Sequence, residues 1–499
     1  MIIPRGVTEA AFLRFLAACE AALGAEHVMR SDAVVSPYGR LMIPFDEADH
    51  MPGAVISPQS LDEVRAVVAA ANADKVPLWP TSTGRNLGYG GSAVADRGTV
   101  VLDLRRMNRI SDFDPVLGTV VVEPGVTYQQ LQDYLQANNL DFWIDFPGPG
   151  PIVSPMGNTL ERGGGVTPYG DHFANSCGFE VLLADGALLR TGMGGVKNTT
   201  SWQSFRYGYG PWLDGIFTQS NFGVVTKMGL WLMPAPEAHR TIMAVWPEDS
   251  DIAKLVDAVR PLRMDGTIQN PGVLGNATIF LAATTPRGEI YQGQKAVPQD
   301  VIMKAIRAQG LGAWMYIFSL YGRPDRIEVD WRAVKARLEA SGAHLIQDVH
   351  AGAQINELDL QAFSILNWVG GGGLTWFSPV TPTRGADAAR QMSLARQIFE
   401  RHDCDFMTGV AINPREMLNV MPIIYDRQQP GRIEQVRACF TELVDEFGAA
   451  GYGLYRTGLG FMDRVAGLHG QVNLEVNRRL KRALDPNGIF APGKSGIRL

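Results

Sequence analysis

Along the first fifth of the chain, apolar residues recur first at helical and then at strand spacing. Phe12, Phe15, Leu16, Cys19 and Leu23 repeat every three or four positions, with Thr8 where a cap belongs and Gly24 as a stop, so a helix is predicted between them. Ser60-Leu61-Asp62-Glu63 has capping-box spacing and opens a second helix with Leu61, Val64, Val67 and Val68 on one face. Residues 76–80, 99–104 and 119–122 are short apolar or β-branched runs bounded by Gly, Pro and Asp, which predicts strands. A further helix is predicted over 127–139, capped by Thr127. From about 152 to 210 glycine becomes dense, as in Gly163-Gly164-Gly165, Gly192-Met193-Gly194-Gly195 and Gly208-Tyr209-Gly210. So many positions without Cβ imply a backbone lying close to a large ligand or turning tightly. Met233-Pro234-Ala235-Pro236 marks a boundary, beyond which strands alternate with longer amphipathic helices such as 387–399 and 433–447.

Composition narrows the class. At 499 residues, 46% apolar and 19% charged, the chain is too long for one core and too mixed for a disordered or fibrous protein, so two large lobes are expected. The net charge of −6 and the absence of a basic block argue against nucleic acid as a partner. No apolar run approaches the roughly 18 residues that span a bilayer. Met1-Ile2-Ile3-Pro4-Arg5 does not open an export signal, so the expected location is the cytoplasm, with the periplasm left open. Cys19, Cys177, Cys404 and Cys439 lack metal or CxxC spacing and read as small buried hydrophobes.

The richest window is Pro80-Thr81-Ser82-Thr83-Gly84-Arg85-Asn86-Leu87-Gly88-Tyr89-Gly90-Gly91. It follows a predicted strand, and its backbone N–H groups could converge on a diphosphate; an ordinary glycine-rich turn is the alternative. It is neither a GxGxxG fingerprint nor a Walker A loop. Tyr455-Arg456, at the end of a strand expected over 451–455, could stabilise an anionic oxygen or simply be a packing pair. His172, beside Asp171, reads more readily as a satisfied structural histidine than as a base. The glycines between Trp368 and Trp376 would let a strand approach a flat ligand, or form a wide bulge. No hydrolase triad or metal spacing is present, so the residues support a phosphate-bearing aromatic cofactor without choosing its chemistry.

Taken together, these segments resemble the vanillyl-alcohol oxidase and p-cresol methylhydroxylase family of FAD enzymes. The likeness runs through 80–91, Val120-Val121-Val122-Glu123-Pro124-Gly125-Val126-Thr127-Tyr128, Gly157-Asn158-Thr159-Leu160-Glu161-Arg162-Gly163, Thr167-Pro168-Tyr169-Gly170-Asp171-His172, Gln219-Ser220-Asn221-Phe222-Gly223-Val224-Val225-Thr226-Lys227, Tyr455-Arg456-Thr457 and 485–496, in the family's order. The runs 371–380 and 192–195 lie closer to the methylhydroxylase flavoprotein subunit. The resemblance implies an α+β, two-lobe fold: an FAD-binding domain over 1–235, a substrate-capping domain over 236–450, and a segment 451–499 returning to the first. It implies that FAD is held by the 80–88 loop, by Pro155, Met156, Gly157, Asn158 and Gly163, by Tyr169, Gly170 and Asp171, by Gly223, Val224 and Val225, and by Lys494.

It also implies a reaction class. A para-substituted phenol binds as phenolate, hydride passes from its benzylic carbon to the flavin, and a p-quinone methide results that gives an alcohol, carbonyl or vinyl product. Tyr89, Tyr455 and Arg456 match the phenolate clamp. Several positions depart from the family pattern. Leu374 and Leu366 stand where relatives carry the flavin-tethering histidine or tyrosine, so non-covalent FAD is expected. Ala362 and Gly148 replace acidic residues, and Leu418-Asn419 replaces a histidine pair. With Trp376 these positions are expected to line a pocket wide enough for a bulky, lignin-derived phenol. The likeness favours a dehydrogenase passing electrons to a small c-type cytochrome or another acceptor, in a dimer or larger assembly. An O₂-using 4-alkylphenol or aryl-alcohol oxidase, and a flavin-binding protein that has lost catalysis, are the alternatives.

Overall fold

The computed structural model describes residues 1–347 and 360–499. The helix Glu9–Leu23 starts where Thr8 accepts the Ala11 N–H (3.3 Å) and buries Phe12, Phe15, Leu16, Cys19 and Leu23. It packs against the helix Leu61–Asp74, whose Ser60 cap accepts the Glu63 N–H while the Glu63 carboxylate turns back to the Gln59 N–H. Both lie over a sheet of order β1-β2-β4-β3, made of β1 (Val28–Met29), β2 (Val55–Ile56), β3 (Leu78–Thr81) and β4 (Val100–Asp103). The β2–β4 and β3–β4 pairs are parallel.

A second sheet joins β5 (Ile110–Asp114), β6 (Thr119–Val122), β8 (Ser176–Leu182), β9 (Leu188–Arg190) and β10 (Val224–Trp231) in the order β5-β6-β10-β8-β9. A separate two-stranded ribbon pairs β7 (Phe142–Trp143) with β11 (Met233–Pro234). The helix Tyr128–Ala137 is held by a reciprocal box between Thr127 and Gln130.

After Pro234 the chain builds a different sheet, of order β15-β12-β14-β13-β17-β18-β16-β19. Its strands are β12 (Ala238–Trp246), β13 (Val273–Asn276), β14 (Trp314–Gly322), β15 (His344–Gln347), β16 (Gly372–Pro382), β17 (Gly409–Ile412), β18 (Glu416–Asp426) and β19 (Leu454–Arg456). Alternation along these strands gives it two faces. Ile242, Phe318, Leu274, Val410, Met421 and Phe377 turn toward the helices Ile252–Met264, Pro324–Ala340, Gly385–Arg401 and Arg432–Ala449 and form one apolar core with them. Burying each such side chain contributes roughly 1.5–3 kcal/mol. Trp376 and Ser378 turn the other way and bond to Leu87 and Tyr89 of the first lobe.

Two local expectations change. The strand carrying Tyr455-Arg456 begins at Leu454, because Gly451 (φ +86°) and the Tyr452 N–H bond to Phe447 close the preceding helix first. It is the edge strand of the large sheet, pairing with β16, so the chain turns back to the first lobe only beyond Arg456 rather than at residue 451. Of the four glycines between Trp368 and Trp376, Gly370, Gly371 and Gly372 form a turn rather than a bulge, and Gly373 lies within β16. The first three have φ of +80°, +69° and +72°, and their turn feeds β16.

The C-terminal return is pinned at β3, where Leu78 exchanges hydrogen bonds with Ile489 and Ala491 (both 2.7 Å). Its anchor is a buried ion pair: Lys481 Nζ lies 2.6 Å from Asp485 Oδ2 and also donates to the Asn221 and Phe490 carbonyls (2.7 Å each). Asp485 in turn accepts the Ile489 and Phe490 N–H groups. Lys481→Met leaves that carboxylate buried without its counter-ion, and a loss of about 3–5 kcal/mol is expected in thermal unfolding. Adding Asp485→Leu should recover part of it; no recovery would show that the ammonium's carbonyl bonds matter more than the pair.

Candidate active site

The loop leaving β3 is shaped by contact with the large sheet. Gly88 adopts φ +73°, and a Cβ there would lie 2.3 Å from the Trp376 indole nitrogen, which itself donates to the Leu87 carbonyl (3.0 Å). Across from it, Ser154 caps the short helix Pro155–Leu160 by accepting the Gly157 N–H (3.3 Å). A Cβ on Gly157 would meet Ser82 Oγ at 2.2 Å, so loop and helix close on one another only because that residue is glycine. Between them lies a cavity of about 460 Å³.

Its wall brings together most of the residues that the sequence nominates. Pro80, Thr81, Ser82, Thr83, Gly84, Arg85, Asn86 and Leu87 line it, as do Met156, Gly157, Asn158, Gly163, Gly223, Val224, Val225 and Lys494. Tyr89, Tyr455, Arg456, Gly148 and Trp376 are there too. Others stand one layer back. Gly88 is spent on the Trp376 contact, and Pro155 is buried at the first turn of its helix. Tyr169, Gly170 and Asp171 form a turn in which Gly170 bonds to Thr167 and Gly165, bracing the glycines that do reach the wall. Leu374, fully buried, and Leu366 pack in an apolar cluster with Trp376 behind the wall, and Leu418 also lies off it. The side chain of Ala362 lies outside the described residues. Asn419 points to the opposite face of the sheet, where it donates to Gln391.

The clamp residues meet at the junction of the lobes. The Arg456 guanidinium carbon sits 4.1 Å from the centroid of the Tyr89 ring, a cation–π stack, and one of its terminal nitrogens donates to Asn86. The Tyr89 hydroxyl is 3.0 Å from Ser378 Oγ. Burial, reinforced by neighbouring Tyr455, pushes the Tyr89 phenol far above its ordinary range and outweighs Arg456 and Ser378. It therefore stays protonated and can donate. Gln219 ties the two lobes together by donating to the Glu161 and Tyr455 carbonyls (3.2 and 2.8 Å).

Glu161 was not apparent as a site residue from sequence, although it sits inside the glycine-rich motif. One of its oxygens accepts from Lys494, and the other is 3.9 Å from Arg456 Nε. Burial raises the carboxyl, but Lys494 and Arg456 overcome this and hold it below the usual carboxylate range. Ser378, also unforeseen, is two residues past Trp376 and so shares its face. His172 is hydrogen-bonded at both ring nitrogens, to Asp145 (3.0 Å) and to Asn158 (2.6 Å), and reaches the cavity only through Asn158. Among the described residues no cluster of three metal-ligating side chains occurs.

The cavity fits FAD. Arg85 Nε is buried on its wall without a partner, which an anionic diphosphate would supply, and the glycine-lined gap between loop and helix leaves backbone exposed to such a group. Comparison with known proteins agrees. Residues 52–192 match the family described as an FAD binding domain, and 415–495 match the C-terminal domain of FAD-linked oxidases. Fold and site thus define a two-lobe FAD-dependent oxidoreductase. Over its whole length the chain is 40% identical to the flavoprotein subunit of 4-cresol dehydrogenase (hydroxylating) from Pseudomonas putida, covering 98% of that protein. It superposes on the crystal structure of substrate-bound p-cresol methylhydroxylase with a TM-score of 0.97, at 40% identity and covering 100% and 99% of the two chains. With 4-ethylphenol oxidase from Gulosibacter chungangensis the TM-score is 0.95, at 32% identity and 99% coverage of both. The chain belongs to the vanillyl-alcohol oxidase and p-cresol methylhydroxylase family.

Because the folded Glu161 carboxyl titrates below its unfolded value, its stabilisation is complete above the unfolded pKa of about 4.3 and disappears as pH falls through the lower folded value. Glu161→Gln should lower Tm by a few degrees at neutral pH, and the gap to the parent protein should close as the buffer is taken down toward pH 3. A gap that does not change with pH would show that the carboxylate is not paired.

Proposed function

We propose that this chain oxidises the benzylic carbon of para-substituted phenols, with bulky lignin-derived phenols within its range. The observation that carries the reading is the stack of Arg456 on Tyr89 beside Tyr455, on the wall of the cavity that fits the cofactor. A guanidinium and two phenol hydroxyls stabilise a bound phenolate, and the low dielectric of the site strengthens each contact. An ionised ring oxygen makes the ring electron-rich enough to lose hydride from its benzylic carbon. Bound FAD supplies the two-electron acceptor. The oxidised substrate is a quinone methide, to which water adds to give the alcohol, or which loses a proton to give the vinyl product.

Three finer readings go with it. FAD is held without a covalent link, because Leu374 and Leu366 offer no nucleophile. Electrons leave to a small c-type cytochrome, a reading supported by the likeness to a dehydrogenase's flavoprotein subunit. Gly148 on the cavity wall leaves space where a larger side chain would crowd a substituent. Anaerobic mixing with a series of 4-alkylphenols should bleach the flavin absorbance; added cytochrome c should return it rapidly, and air only slowly, with peroxide forming no faster than the flavin is reoxidised. Rapid peroxide release would make the protein an oxidase, and unbleached flavin with every phenol would remove the reaction. Arg456→Ala should cut reduction by weakly acidic phenols by about two orders of magnitude while sparing FAD content. The denatured polypeptide should carry no flavin mass.

A further inference from the structure

The face of the large sheet that looks toward the cofactor cavity carries a second cavity, of about 340 Å³. Strand register places the two side by side. Gly275 of β13 is paired with Gly409 of β17, and Gly409 is paired with Val420 of β18. Directly paired residues project to the same face. Gly275 and Gly409 line the second cavity while Val420 lines the first, and Ile365 lines both.

Two adjacent strands carry glycine at the same level on the wall of the second cavity. Glycine weakens a strand interior and usually marks a close approach. That holds for Gly275, whose Cβ would meet Phe280 and Ile279 at 2.7 and 2.8 Å. It does not hold for Gly409. A Cβ there would find only ordinary contacts, with the Val420 carbonyl at 3.7 Å and Ile279 at 3.8 Å, and neither glycine has positive φ. Neither backbone geometry nor packing requires glycine at 409, so what it provides is space. The polar groups of the wall are satisfied among themselves: Thr241 Oγ1 lies 2.9 Å from Ser319 Oγ, and Asn270 donates to the Val166 carbonyl while accepting the Ser319 N–H. Among the described residues no charged side chain lines it.

We propose that this cavity is a subsite for the distal, uncharged apolar end of a long para substituent, such as a second aryl ring. Resting on the phenol reading above, the ring oxygen sits at Arg456 and the substituent passes Ile365 to end over Gly409, against Phe280 and Ile317. The described wall matches an apolar terminus and offers no counter-charge to a terminal carboxylate or ammonium.

The test is calorimetric binding of 4-(2-phenylethyl)phenol and of 4-methylphenol to the FAD-loaded protein, with flavin reduction followed separately. In Gly409→Leu the ratio of affinities, long phenol over short, should fall about tenfold or more, and in Gly409→Ala by no more than about twofold. Should Gly409→Leu fail to retain FAD, Ala283→Trp closes the same cavity from an exposed helix position and should lower the same ratio. An unchanged ratio in the filled variants overturns the subsite. Absence of flavin reduction by either phenol in the parent protein sinks the phenol-oxidation reading instead, and the binding ratio then still decides the subsite.

Discussion

The site is organised around buried positive charge. Arg456 and Lys494 converge on a single carboxylate, Glu161, so the wall where the lobes meet holds one cation more than it holds anions at that cluster. Arg85, farther along the same wall, adds a guanidinium nitrogen without a partner. Desolvated charge left unbalanced is costly, and the arrangement is stable only if anionic groups complete it. In the function proposed above, a diphosphate at one end and a phenolate at the other supply those anions, and the charge that recruits them also favours the ionised substrate.

That charge is placed by the large sheet rather than by a loop. Arg456 ends β19, Ser378 lies on β16 beside it, and both are held in register by backbone pairing. The helical layer on the opposite face makes the sheet rigid, leaving its other face free to meet the 80–91 loop. Position on a strand backed by a packed core gives the precision that a stacked cation and hydroxyl pair needs. The first lobe contributes what a sheet interior cannot, a run of glycines and hydroxyls with exposed backbone.

Much of this was legible before any tertiary information. Thr8, Ser60 and Thr127 cap helices as their sequences predict, because a cap is satisfied within three residues of itself. The 80–87 loop, Met156 to Asn158 and the Tyr455-Arg456 pair were found by residue type and by family likeness, and the cavity wall contains them all. The wall does not include every member of these motifs. Gly88, Pro155 and the turn at Tyr169 to Asp171 belong to the same motifs but brace the wall from behind, and a motif does not say which of its members faces the ligand.

Local order was therefore determined by the sequence itself: helix starts, strand periods and the glycine-rich turns follow from interactions spanning a few residues. Only the tertiary structure decided that Glu161 balances Lys494, that Ser378 meets Tyr89, and that Gly409 adjoins Val420 beside the cofactor cavity. Glu161 and Lys494 are 333 residues apart and Ser378 and Tyr89 are 289 apart, so no local pattern records either pairing. The first arises when the C-terminal return docks on the first lobe and the second where the two lobes meet, and burial then turns ordinary side chains into partners that cannot go unsatisfied.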